Sequence, residues 1–390
     1  MDSVLAQITA AKARGLVQAL VGTPSVNPPG ETAAAVAVLG RYLDAAGVPW
    51  RTVAAKPGVA NLVARLPGRL PGRTLVFNGH VDVVPPGENW TVDPFGGEER
   101  DGRIYGRGSC DMKGGLAAML LAVLALQHAG APFAGEVLFT AVADEETGGE
   151  YGTQYILREG IGRGADFAIV GEPSNLRVEL GNRGVAWLEV TVKGRAGHPG
   201  HASGANAVHY AGKLIEAIAG MRFDLHNDLF EVPSPSVTVT MVHGGVKANV
   251  IPSTCTLTLD RRLLPGETAA AAVVEVEELI ASLPVPGVNA EVRLSHASEP
   301  YLVSPSEPLV QALVLAHEHV LGTRPAFGAK GGSTDGAFLY HQGGVPTVLY
   351  GPGDPGLAHT ADEHVALESV VQAAQVYART ALDLLREDGH

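Results

Sequence analysis

Apolar, strand-like runs in this chain keep ending in an acid or an imidazole, and that recurrence constrains the fold more than any other feature. The run 74–79 leads into His80-Val-Asp82, 136–142 into Asp144-Glu145-Glu146, 167–170 into Gly171-Glu172, and 347–350 is followed by His359. Between such runs lie helix-like stretches, among them the nearly all-apolar 116–127 and the segment 309–321. Strands alternating with helices predict an α/β fold, a mostly parallel sheet flanked by helices. In such sheets ligands bind at the carboxyl ends of the strands, where these side chains stand.

The chain's 390 residues exceed the roughly 250–300 at which one hydrophobic core stops growing, so two domains are expected. From Gly184 the texture changes. Residues 185–193, 236–242 and 255–259 alternate in the manner of half-exposed strands, and helix-like 207–220 and 268–282 lie among them. That mixture predicts a smaller α+β domain. Because the first texture resumes beyond residue 300, the smaller domain reads as inserted into the larger one.

Charge and composition narrow the partners. With 41 acids against 28 lysines and arginines, a net charge of −13 repels phosphate polymers, and no basic run reverses it locally. Nucleic acid is therefore not an expected partner. Two distant cysteines, Cys110 and Cys255, offer neither a disulfide framework nor a thiolate metal cluster. The first 20 residues lack the basic-then-apolar order of a signal peptide. The longest apolar run, 116–126, is short of the roughly 18 residues a membrane span requires. A soluble, cytoplasmic protein without a membrane partner is the expectation.

Taken singly, the strand-end groups have plain structural readings: a wet strand end for His80 and Asp82, a helix cap for Asp111 in Gly106-Arg-Gly-Ser-Cys-Asp111, a solvated loop for 144–146. Gathered in one crevice they would repel one another unless cations lie between them. Imidazoles and carboxylates without thiolates suit a hard-to-borderline divalent ion, zinc first among them. Other chemistries fail on spacing. Asp111 stands where a dinucleotide fingerprint needs its third glycine, His317-Glu318-His319 lacks the second histidine of HExxH, and no GxSxG is present.

In order along the chain, GHVDVVPPG, YGRGSCDMKGG, ADEETGG, GEPS, VKGRAGH, NVIP, DRRLLPGE, GGSTDG and AHTADEH resemble the two-metal aminoacylase-type amidohydrolases. That family includes acetylornithine deacetylase, succinyl-diaminopimelate desuccinylase and carboxypeptidase G. The resemblance implies two divalent ions per subunit, zinc in the first place and cobalt or manganese as substitutes. Asp111 would bridge them, with His80 and Glu172 completing one site and Glu146 and His359 the other. Asp82 would orient His80, and Glu145 would be the general base. The inserted domain, residues 183–296 between the two parts of the catalytic domain, 1–182 and 297–390, would be the family's lid and dimerisation domain, making the protein a homodimer.

The same resemblance implies lid residues. His198 in VKGRAGH would stabilise the oxyanion from the partner subunit, with His201 the competing choice, because the stretch Pro199 to Ser203 departs from the family pattern. Asn249 and Arg262 would hold a substrate carboxylate, Arg261 being one residue away, and Gly332 and Ser333 would line a glycine-rich loop of the catalytic domain. The implied activity is hydrolysis of the amide of an N-acyl amino acid, of the acetylornithine deacetylase or succinyl-diaminopimelate desuccinylase type. A dipeptidase or carboxypeptidase G-like peptidase is the alternative. A non-catalytic metabolite-binding relative is more remote, since Glu145 and all five expected ligands are present.

Overall fold

The computed structural model describes residues 2–201 and 204–386, so Ala202 and Ser203, within the stretch that departs from the family pattern, lie outside the described residues. The chain separates into two compact units. The larger comprises residues 1–181, 303–330 and 334–390, and the smaller comprises 182–302 with 331–333.

The larger unit is built on one sheet whose neighbours run Trp50–Lys56, Val59–Pro67, Ala134–Val142, Leu70–His80, Phe167–Val170, Thr347–Leu349 and Val178–Asn182. The four strands from Ala134–Val142 to Thr347–Leu349 are parallel, while the flanking strands join antiparallel. Parallel strands covered on both faces become continuous apolar runs, and Phe167–Val170 is buried at every position. Helix Gly114–His128 packs against helix Leu367–Leu384 and near strand Leu70–His80. By length and composition alone, the stretch Ser109–His128 would pass for a membrane span. It is 94% buried inside the fold, which makes it the core helix.

The smaller unit is a four-stranded antiparallel sheet in the order Ser236–Gly244, Thr254–Leu263, Gly184–Lys193, Asn289–Ser298. Its apolar face, with Leu188, Val190, Leu257 and Leu259, packs under helices Ala207–Ala219 and Ala269–Ser282. Asn206 and Thr268 cap these helices through their side-chain oxygens, satisfying amide groups that have no partner within the helix. Strand Asn289–Ser298 continues two residues past the boundary read from the sequence. Residues 331–333 also belong to this unit rather than to the catalytic part, where the resemblance puts Gly332 and Ser333.

Candidate metal centre

Parallel register brings the chemistry together. His80 lies opposite Val142, so those two strands end level, and Val170 lies opposite Asn78, so the third strand ends two residues earlier. The short turn Glu145–Thr147 follows one strand end, and Glu172 lies two residues past another. Asp144 sets that turn in the left-handed conformation, φ 69°. Its carboxylate accepts from the Thr147 hydroxyl at 2.5 Å and the Tyr151 amide at 3.0 Å, the local bonding that lets an aspartate adopt this conformation. Asp111 occupies the turn Ser109–Lys113 that feeds the core helix. At Gly115 a Cβ would lie 1.9 Å from the Gly171 carbonyl oxygen, so only glycine lets this helix begin against the Glu172 turn.

Two groups of donors result: His80, Glu145 and Glu172, and Asp111, Glu146 and His359, each with donor atoms within 4.8 Å of one another. Asp111 turns one oxygen to each imidazole, Oδ1 lying 3.2 Å from His80 Nε2 and Oδ2 3.5 Å from His359 Nε2. Glu172 Oε1 is 3.7 Å from His80 Nε2, and Glu146 Oε2 is 3.2 Å from His359 Nε2. The other Glu146 oxygen, Oε1, is buried without a hydrogen-bond partner among the described residues. Oxygen and imidazole donors converging in two groups, one buried oxygen among them unsatisfied, fit divalent ions of the zinc, manganese or cobalt kind. Glu145 sits as close to His80 and Glu172 as a ligand would, although the sequence resemblance makes it the base.

The residues behind these donors fix them. His80 Nδ1 lies 2.9 Å from the main-chain carbonyl of Asp82, whereas the Asp82 carboxylate is 3.7 Å away. Asp82 therefore orients His80 through its backbone, and its carboxylate does something else. That carboxylate accepts from the Asn27 side chain at 2.9 Å and from the amides of Glu145 and Glu146 at 3.3 and 3.2 Å, pinning the acidic turn. Asp111 is held similarly: Glu363 Oε1 accepts from the Cys110 and Asp111 amides at 2.9 and 3.0 Å, while its Oε2 meets buried Arg107 at 2.5 Å.

Charge is concentrated here. Burial would raise the Asp111 pKa, but the His80 hydrogen bond and the charges of His80, Lys330 and His359 hold it at about 2. Burial, joined by Glu172, Glu146 and Asp335, pushes Glu145 well above the carboxylate range against the pull of His80. Asp335 rises to about 7, chiefly by burial. His80 is held well above its ordinary value despite burial, by Asp111, Glu145 and Asp82. Burial opposes the Lys330 charge, yet Glu172, Asp111 and Glu179 keep it firmly protonated. Sequence reading overlooks Asn27, Lys330, Asp335 and the Arg107–Glu363 pair. Glu363 and Asp335 lie within quoted motifs, but Asn27 carries no local signal.

The remaining predicted residues lie in the smaller unit. His198 and His201 are both exposed, their rings 4.9 Å apart. The Gly200 amide donates to His198 Nδ1 at 3.1 Å, so a neutral His198 carries its proton on Nε2. Asn249 is exposed in the turn after strand Ser236–Gly244. Arg262 is gripped by Asp260 through Nε at 2.6 Å and Nη2 at 3.0 Å. Arg261 is buried, paired with Glu267 and Glu275 and stacked 3.9 Å over Phe223, which commits it to the fold and leaves Arg262 as the partly exposed one. The Ser333 hydroxyl donates to Ser298 at 2.5 Å. Gly332 is left with its backbone as donor.

The fold and the donor set are those of metal-dependent hydrolases, and the chain belongs to peptidase family M20/M25/M40, whose sequence pattern matches residues 76–383. Among curated proteins it is 34% identical to a succinyl-diaminopimelate desuccinylase of Paracidovorax citrulli, covering 94% of this chain and 96% of the relative. It is 33% identical to another of Methylorubrum extorquens, covering 93% and 96%. Among solved structures it resembles aminopeptidase PepT of Bacillus cereus, with a TM-score of 0.78 at 22% identity, covering 97% of this chain and 99% of that one. It also resembles the Bacillus subtilis YXEP protein, a dinuclear metal-binding peptidase, with a TM-score of 0.71 at 19% identity, covering 96% and 98%. The protein is a metal-dependent amide hydrolase.

Proposed function

We propose that this protein is a two-zinc deacylase of the succinyl-diaminopimelate desuccinylase type, a cytoplasmic homodimer joined through its smaller unit, that cleaves the amide of an N-acyl amino acid. The observation that carries the reading is the pair of donor groups around Asp111 in a chain aligned with a desuccinylase over 94% of its length. Cobalt or manganese could replace zinc at oxygen and imidazole donors. Both cysteines are free and buried, in keeping with a reducing compartment.

His80, Asp111 and Glu172 would hold one ion and Asp111, Glu146 and His359 the other, and the pair supplies the Lewis acidity that activates water and polarises the amide carbonyl. Glu145, whose affinity for a proton is raised by burial and neighbouring acids, accepts as a carboxylate the proton of the attacking water and passes it to the departing amine. Asp82 keeps that base in place by holding the Glu145 amide. His198, brought by the partner subunit, donates from Nε2 to the developing oxyanion. Arg262 presents the guanidinium edge that Asp260 leaves free to a substrate carboxylate, and Asn249 and the Gly332 amide would be further substrate contacts.

The deciding experiment compares kcat/KM of zinc-reconstituted protein on N-succinyl-diaminopimelate, N-acetylornithine, and an N-acyl glutamate with its dipeptide counterpart. A preference of about a hundredfold for the succinyl substrate, about 2.7 kcal/mol of transition-state binding, is expected. An equal preference for the dipeptide would make the protein a peptidase.

A further inference from the structure

The face of the smaller sheet turned away from its helices carries an aromatic side chain that the core does not use. Trp187 stands between buried Ala186 and Leu188, so strand alternation sends its ring to the other face, where 44% of the residue stays exposed. In register it lies between Asp260 on one neighbouring strand and His296 on the other. Its Nε1 donates to Asp260 Oδ2 at 3.2 Å, and Arg262 Nη2 donates to that same oxygen at 3.0 Å. The indole and the guanidinium therefore flank one carboxylate. The ring also meets His296, centroid to centroid at 4.7 Å. A β-bulge between Leu294 and His296 shifts the register there. Without it Ser295 would face Trp187 and His296 would turn to the core side. Burial lowers the His296 pKa, so a neutral ring backs the indole at pH 8.

We propose that Trp187 is a specificity-determining residue: with the substrate's α-carboxylate on Arg262, the indole is a ledge for the adjoining side chain and selects N-acyl amino acids with an unbranched aliphatic side chain. In such a substrate the α-nitrogen belongs to the scissile amide, which leaves the side chain as the apolar group next to the carboxylate. Each methylene laid on the ring leaves water. The ring, already held by Asp260 and His296, loses little freedom in receiving it. The inference rests on the deacylase reading above and on its use of Arg262, and it assigns the substrate class within that reading.

The test measures kcat/KM of the zinc-reconstituted full chain at pH 8 on the N-succinyl derivatives of alanine, 2-aminobutyrate, norvaline and norleucine, with N-succinyl-diaminopimelate alongside. In wild type kcat/KM should climb about tenfold from alanine to norleucine, chiefly through KM. Trp187→Gln, which keeps an N–H for Asp260 but has no ring, should flatten the climb to less than about threefold, whereas Trp187→Phe, which keeps a ring but no N–H, should retain about fivefold. The same loss on all four substrates in Trp187→Gln would make Trp187 a support of Asp260 alone and overturn the ledge. A flat series in wild type, or cleavage of N-succinyl-diaminopimelate without any of the four, would overturn it too. Should Trp187→Gln fail to fold, Trp187→Ala carries the same expectation and the same refutation. A wild type that cleaves none of the five would instead defeat the deacylase reading itself.

Discussion

The two units present their functional residues in opposite ways. In the larger unit the donors other than half-exposed His359 are held by the fold behind them: Asn27 and two amides converge on Asp82, Arg107 and two amides on Glu363, and Lys330 on Glu172. In the smaller unit His198 and Asn249 stand on exposed turns, and Arg262 projects from a strand with Asp260 as its grip. Preorganised groups contribute most when charge develops during reaction, because nothing need reorganise at that moment. Exposed groups contribute once substrate has ordered them. Damage in the larger unit should therefore cost turnover outright, and damage in the smaller unit should cost less while sparing the metal.

Glu145→Ala is the sharpest way to break this contrast. As the general base it should lower kcat by about 10²–10⁴-fold while metal content, read by elemental analysis, stays unchanged. Since Glu145 lies in one donor group with His80 and Glu172, the alternative is concrete. Loss of an ion together with the activity would make it a ligand, and Glu172 or another acid would then have to serve as base.

His198→Ala should have the next largest effect, about 10²–10³-fold in kcat if Nε2 is the oxyanion donor, with both ions retained. His201→Ala should change little. The Gly200 amide fixes the tautomer of His198, so a reversal of the two variants would show that the loop donor is misassigned.

What could be read beforehand follows the same contrast. His80, Glu145, Glu146 and Glu172 were legible because they follow closely on apolar runs, a pattern set by neighbours in the chain: strand Phe167–Val170 and the acid after it need no distant information, whereas Asp111 precedes an apolar helix and His359 lies well past its strand. Strand Leu70–His80 starts four residues earlier than its apolar pattern because its first residues are exposed and only pairing with Ala134–Val142 marks them as strand. Helix Ala10–Val21 carries its signal only in the spacing of buried Ala13, Leu16, Val17 and Leu20, without a long apolar run. The supports of the site were not legible. Asn27 reaches Asp82 across 55 residues and Lys330 reaches Glu172 across 158, and a sequence does not tell whether Asp82 orients His80 by its carboxylate or by its carbonyl.

The smallest expected effect concerns Lys113, beneath the centre, and reads out in stability. Its side chain is fully buried, and Nζ donates to the Leu20 and Thr23 carbonyls at 2.9 Å each. Those two acceptors match the two N–H groups of a neutral amine. Burial lowers its pKa from 10.5 to about 7, against the opposing charges of Glu363 and Asp82. Because the folded value lies below the unfolded one, the unfolded chain binds more protons between about pH 7 and 10.5, and this group makes stability rise with pH across that window. Lys113→Met should flatten that rise in urea-unfolding midpoints measured from pH 7 to 10. It should also cost about 1–3 kcal/mol at the alkaline end, where two buried carbonyls lose their donor. An unchanged slope in the variant would mean that Lys113 keeps its charge in the fold and that the acids above it, rather than burial, decide its state.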